Sequence, residues 1–249
     1  FPKIGQFRDV INHIAQNTRF VGLDEAGEPM YDATKLLPVL AFEGTIKLHG
    51  TNAAVVRNED GSVHFQSRER IITPESDNAG FALWASTINW SNIFDNFVQG
   101  SRVEIFGEWC GGNIQANVAL NQLSKRFVIF KVYVDEVPVS FNYADHGKAI
   151  FNIRNFLTFN VLVDFEKPSN SQNFLVERTL EVEEKCPFAE AFGVIGTGEG
   201  IVWTCEDDPT IMFKTKGEKH SASKVKTLAP VDEELIATME EFTSNTVTE

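Results

Sequence analysis

Apolar and polar residues alternate most cleanly around Phe42-Glu43-Gly44-Thr45-Ile46-Lys47-Leu48. Ile46 and Leu48 fall on one side of the chain there, and Glu43, Thr45, Lys47 and His49 on the other, as in a strand with one face buried. The same period of two predicts strands at 53–56 and 62–68. Asn58-Glu59-Asp60-Gly61 lies between them, and Asp-Gly between two alternating runs is a strong hairpin signal. Residues 102–109 alternate again and run into Gly111-Gly112, while 127–134 are almost continuously apolar, which predicts a strand buried on both faces. Two more strands, 198–204 and 211–216, flank a turn at Glu206-Asp207-Asp208-Pro209.

Helical spacing is sparser. Phe7, Val10, Ile11 and Ile14 predict an amphipathic helix over 6–16, and Phe81, Trp84, Ile88, Ile93, Phe94 and Phe97 a buried helical stretch over 77–97, broken near Asn89. A helix is also expected over 148–157, and a last one through Leu235, Ile236, Met239 and Phe242, opening after Pro230 with Asp232 as N-cap. Gly22, Gly27, Pro29 and Pro38 make 21–40 irregular, 164–173 reads as a polar loop, and 174–193 carries both periodicities. Strands scattered among helices, without βαβ alternation, predict an α+β fold of mainly antiparallel sheets flanked by helices.

Composition narrows the class. Hydrophobic residues make up 43% of the 249 and charged residues 23%, ordinary for a soluble enzyme. No apolar run is long enough to cross a membrane, and Phe1-Pro2-Lys3-Ile4 has no signal-peptide pattern. Cys110, Cys186 and Cys205 are too far apart for a C-x-x-C site, so a reducing, cytoplasmic location is expected (the host cytoplasm, for a phage-encoded chain). The net charge of −13 counts against a nucleic-acid partner, but its distribution is uneven. Five lysines (Lys214, Lys216, Lys219, Lys224, Lys226) and one acid, Glu218, lie between 214 and 226, while 232–249 holds six acids and no Lys or Arg.

Lys47, Arg68, Glu108, Glu199, Lys214 and Lys216 stand at or near strand ends, several beside glycines. Lys214 and Lys216, two apart, share a face. Cations and carboxylates converging next to glycine suit a nucleoside triphosphate with Mg²⁺. Lysines neutralise phosphate, carboxylates hold the hydrated ion, and glycine lets the backbone approach closely.

In that order the residues resemble the covalent nucleotidyltransferase superfamily, and most closely the RNA ligase 2-type polynucleotide ligases. Lys47-Leu48-His49-Gly50-Thr51-Asn52 is similar to the nucleotide-acceptor motif, and Ser67-Arg68 stands where the family has an arginine after the next strand. Phe106-Gly107-Glu108-Trp109 resembles F-G-E-F, and Phe127-Val128-Ile129-Phe130 the segment whose aromatic stacks on adenine. Glu199-Gly200-Ile201-Val202 resembles E-G-x-V, and Phe213-Lys214-Thr215-Lys216 the final K-x-K. DNA ligases and capping enzymes usually have Asp where His49 stands.

The resemblance implies an ATP-grasp-like ligase domain over 1–230 with its pocket between sheets; where the family usually continues into a C-terminal nucleic-acid domain, only a short acidic helix or tail over 231–249 is expected here, and no full domain of that kind. It implies that Lys47 takes AMP from ATP, passes it to a 5′-phosphate, and that a 3′-hydroxyl then seals the strand, at nicks in duplex RNA and as a monomer. Arg68 would contact phosphate or ribose, Glu108 the ribose hydroxyls and Phe130 adenine, while Ile46 contributes backbone. Asn52 would assist at the 3′-hydroxyl side, and His49 on the β-phosphate side or at the attacking end. Glu199 would organise water on Mg²⁺ or Mn²⁺, and Lys214 and Lys216 would hold the α-phosphate. Two departures stand out: Ile46 replaces a glutamate common before the lysine, and only 23 residues follow Lys226. A DNA or hybrid ligase, a capping guanylyltransferase and a non-catalytic nucleotide-binding module are the competing readings.

Overall fold

The computed structural model describes residues 4–220 of the chain. In chain order the strands are β1 (Gly5–Gln6), β2 (Phe20–Leu23), β3 (Pro29–Tyr31), β4 (Val39–Lys47), β5 (Thr51–Arg57), β6 (Val63–Ser67) and β7 (Ile71–Ile72). They continue with β8 (Val103–Cys110), β9 (Arg126–Val134), β10 (Val137–Val139), β11 (Ile150–Asn152), β12 (Thr158–Asp164), β13 (Gly200–Cys205) and β14 (Met212–Lys216). The α-helices are α1 (Phe7–Arg19), α2 (Phe81–Ser86), α3 (Ser91–Phe94), α4 (Ser169–Glu184) and α5 (Pro187–Glu190).

Two sheets carry the architecture. One has the order β1-β14-β13-β4-β12, and the other β10-β9-β8-β5-β6-β7 with β11 also paired to β9. All pairings within them are antiparallel except β1 with β14 and β11 with β9. The fold is therefore α+β and mainly antiparallel, as the alternation predicts.

Each sheet has an apolar outer face. On the first, Phe42, Ile46, Ile201, Trp203 and Phe213 pack with Val10 and Ile14 of α1 and Leu175 and Val182 of α4. On the second, Ala53, Val55, Ile105, Phe127 and Ile129 pack with Phe81, Ala85, Trp90 and Ile93 of α2 and α3. The helical stretch expected over 77–97 is these two short helices, and the chain does break between them, around Asn89. The polar inner faces of the two sheets turn toward each other.

Four local expectations change. Residues 21–40 hold a two-stranded ribbon, β2 with β3. The helix expected over 148–157 is instead β11 and two 3₁₀ turns, His146–Lys148 and Ile153–Asn155, because Ile150 and Phe151 are drawn into the parallel pairing with β9. The polar stretch 164–173 runs into α4, which begins at Ser169 and continues through the ambiguous segment. Its inward face carries Ser171, Thr179 and Glu183 among Leu175, Val176 and Val182, so the apolar period is interrupted. On β9 only the first half is buried on both faces, and Phe130 and Lys131 are half-exposed. Lys224, Lys226 and the C-terminal helix expected over 231–249 lie outside the described residues. Among those described, no helix is long and apolar enough to cross a membrane.

Gly44 sits under Trp203, where a Cβ would come within 2.6 Å of the indole. Trp203 is fully buried and cannot retreat. Gly44→Ala is expected to lower stability by about 1–3 kcal/mol, the usual cost of overpacking, read from the urea midpoint at unchanged slope.

Candidate active site

β4 ends at Lys47 in one sheet and β5 begins at Thr51 in the other, so Leu48, His49 and Gly50 carry the chain between them. Gly50 is needed at this crossing: a Cβ there would collide with the Trp109 carbonyl and the Cys110 side chain. Its N–H donates to Glu108 Oε1 at 2.9 Å, and its carbonyl accepts from Gln115 Nε2 at 3.0 Å. The other Glu108 oxygen accepts from Asn52 Nδ2 at 2.9 Å. Glu108 thereby locks the turn that follows Lys47.

Register sets the rest. Lys47, Gly200 and Lys216 stand directly opposite one another on β4, β13 and β14, and Thr45, Val202 and Lys214 form the next row on the same face. Gly200 has φ +151°, and a Cβ on it would run into the Thr215 carbonyl. With no side chain between the two lysines, the carboxylate of Glu199 fills the gap. Lys47 Nζ donates to Glu199 Oε2 at 2.7 Å and Lys216 Nζ to Oε1 at 2.7 Å, while His49 Nδ1 lies 3.1 Å from Oε2.

The Glu199 side chain is 1% exposed. Burial alone pushes its acidity toward the neutral form, but the His49 hydrogen bond and the Lys47 and Lys216 ammoniums outweigh it, holding the carboxyl down at about 2. Lys214 shows the opposite balance. Burial, with Lys216, Lys47 and Arg68 nearby, pushes its amine below the usual lysine range despite the attraction of Glu199. This corner holds more positive charge than its carboxylate neutralises, as an anion-binding site does. Arg68, exposed just beyond β6, adds to that field. Arg70 is used differently, its guanidinium donating to the Ser76 and Asp77 carbonyls.

Between the inner faces lies a cavity of about 310 Å³ lined by Thr45, Lys47, Asn52, Glu108, Phe130 and Val202 among others. Phe130 reaches it through a bulge. Phe106 pairs with Lys131 but Gly107 with Ile129, which leaves Phe130 as an extra residue on β9 and re-aims it. Ile46 lines the cavity too, yet its side chain belongs to the outer core, so its backbone faces inward. Glu43, on the same strand face as Lys47, is neutralised by Arg154, whose Nη2 lies 2.8 Å from Oε2.

The sequence reading missed Arg154 because a helix was expected there, and it missed Gln115 because it lies in a loop without periodicity. Among the described residues no cluster of three or more His, Cys, Asp or Glu side chains could hold a metal ion.

Two sheets enclose a cavity that Lys47 helps to line, and the fold is the nucleotidyltransferase fold of solved RNA ligase structures. Residues 41–226 match the RNA ligase family, and the chain belongs to it. Solved structures of Naegleria gruberi RNA ligase share the fold. The pyrophosphate-bound form has a TM-score of 0.52 at 16% identity, over 88% of this chain and 56% of that one. A lysine-substituted variant with AMP and manganese gives 0.53 at 15%, over 88% and 56%. A ligand-free aspartate-substituted variant gives 0.54 at 16%, over 88% and 55%. The chain thus spans a little over half the length of these relatives. No curated protein matches the chain in sequence.

Burial pushes the Glu108 carboxyl up to about 7, with the charge of Glu199 adding to it and Lys47, Gly50 and Asn52 opposing it. An unfolded chain releases that proton near 4.5, so between about pH 4.5 and 7 the folded state binds the extra proton and loses stability as pH rises. Relative to wild type, Glu108→Gln is expected to gain on the order of 1–3 kcal/mol between about pH 5 and pH 8, measured by denaturant unfolding.

Proposed function

We propose that this chain is the nucleotidyl-transfer unit of an ATP-dependent RNA ligase that joins 5′-phosphate to 3′-hydroxyl ends, with Lys47 as the nucleophile. The observation that carries the reading is the Lys47–Glu199–Lys216 cluster, joined through Lys47 to a cavity that Phe130 and Val202 also line. The cavity suits a purine between those two side chains, with Glu108 and Asn52 near the ribose and the excess positive charge near the phosphates.

Lys47 Nζ would attack the α-phosphorus of ATP. A P–N bond forms, the P–O bond to pyrophosphate breaks, and the amine gives up its protons to reach lysyl-AMP. A 5′-phosphate oxygen then displaces the lysine, forming P–O and breaking P–N. Last, the 3′-hydroxyl attacks that 5′-phosphorus and AMP leaves. Only a neutral amine is nucleophilic, so the Lys47 ammonium held by Glu199 has to leave it and lose a proton first. An arriving triphosphate favours this exchange, because it offers Lys214 and Arg68 an anion and competes with Glu199 for Lys47 and Lys216. His49, on the same carboxylate, would serve the β-phosphate side or the attacking end.

A divalent ion fits this donor set only as one carried by the nucleotide. Both Glu199 oxygens already hold cations or His49, so phosphates and water would supply most of its shell, with Glu199 reaching it through water. Such an ion, Mg²⁺ or Mn²⁺, would neutralise phosphate charge. The Naegleria structures with ATP or AMP and manganese support this use.

Incubation with α-labelled ATP and Mg²⁺ is expected to leave labelled AMP on the protein through a P–N bond, stable to alkali and cleaved by acid. Lys47→Ala should abolish the label, and Lys216→Ala should slow it by roughly 100-fold or more, as when a transition-state donor is lost. Full labelling of Lys47→Ala would remove the lysine from its role, and binding of ATP without label would favour a non-catalytic module. Sealing of nicked all-RNA duplex ahead of all-DNA and hybrid duplexes is expected, and preference for DNA would overturn the RNA assignment.

A further inference from the structure

Glu183, near the end of α4, belongs to none of the motifs, yet it is 6% exposed and touches both segments that carry the anion site. Its backbone carbonyl accepts from the Gly198 N–H at 3.1 Å, one residue before Glu199. Its carboxylate Oε1 accepts from the Lys219 N–H at 2.6 Å. Its side chain also occupies the space where a Cβ on Gly217 would stand, one residue after Lys216.

These contacts close a loop of bonds. Gly217 N–H donates to the Glu199 carbonyl at 3.2 Å, and His220 N–H to the Gly217 carbonyl at 3.3 Å. The His220 ring is thereby set 5.3 Å from that of His49, whose Nδ1 meets Glu199. The charged and titratable groups facing His220 are His49 from the β4–β5 turn, Glu199 ahead of β13, Lys216 of β14 and Glu183 of α4. An apolar residue at 183 could fill the volume but would leave the Lys219 N–H unpaired.

We infer that Glu183 is a positioning residue for nucleotidyl transfer. It holds the Gly198–Glu199 backbone and the turn from Gly217 to His220 together, so that Glu199 meets Lys47 and Lys216 while His220 backs His49. The kinetic part of this inference rests on the proposed function, and the geometric part does not.

Glu183→Ala, Glu183→Gln and Val176→Ala (a core truncation on the same helix) would be compared with wild type below all their melting temperatures. Glu183→Ala is expected to slow lysyl-AMP formation at saturating ATP by about 10-fold or more with KM within about 3-fold, the signature of lost positioning. Glu183→Gln keeps the Oε1 acceptor and should stay within about 3-fold of wild type, and Val176→Ala within about 2-fold. Equal rates for Glu183→Ala and Val176→Ala would overturn the inference, as would a Glu183→Gln as slow as Glu183→Ala. If wild type forms no adduct, the functional reading falls and the imidazole titrations of His49 and His220 by NMR decide the rest. Glu183→Ala should move both and Val176→Ala neither, and unmoved imidazoles in Glu183→Ala would overturn the clamp.

Discussion

One buried carboxylate organises this molecule's working end. Glu199 draws Lys47 from β4, Lys216 from β14 and His49 from the crossing turn onto two oxygens. A carboxylate removed from water this completely is costly unless its partners are charged and well placed. The sheet supplies that placement: the Lys47–Gly200–Lys216 row puts both ammoniums beside the glycine that follows Glu199. Removing either lysine would leave buried charge short of a partner, so the cluster ties stability to chemistry.

The same geometry accounts for the balance between the two acids of the site. Glu199 is surrounded by cations and stays ionised, while burial in the other sheet drives Glu108 toward neutrality against its Gly50 and Asn52 donors. The two carboxyls thus titrate far apart, Glu199 at about 2 and Glu108 at about 7. The anion-attracting corner lies on the side of Lys214, Lys216 and Arg68, and the Glu108 oxygens hold the Gly50 N–H and the Asn52 amide.

Much of this was legible in the sequence because period-two alternation is local. Lys47, Lys214 and Lys216 lie on the polar faces of their strands, and the family resemblance fixed their order. What could not be read depended on partners distant in sequence. The Phe130 bulge exists only through its register with Phe106 and Gly107. Arg154 neutralises Glu43 across 111 positions, from a segment whose helical spacing gave way to pairing with β9. The face of α4 packed on the sheet holds Ser171, Thr179 and Glu183, so apolar periodicity could not announce it. Thr179 is satisfied by Thr215 and Glu183 by Lys219, which only the assembled fold supplies.

The central claim is that Lys47 is held in reserve by Glu199 and exchanges that carboxylate for a nucleotide phosphate. A crystal structure with a non-hydrolysable ATP analogue blocked at the α–β bridge tests it most directly. The account predicts the base between Phe130 and Val202, and Lys47 Nζ off Glu199 and facing the α-phosphorus. A nucleotide bound elsewhere, or Lys47 still paired to Glu199 with the phosphates turned away, would contradict it.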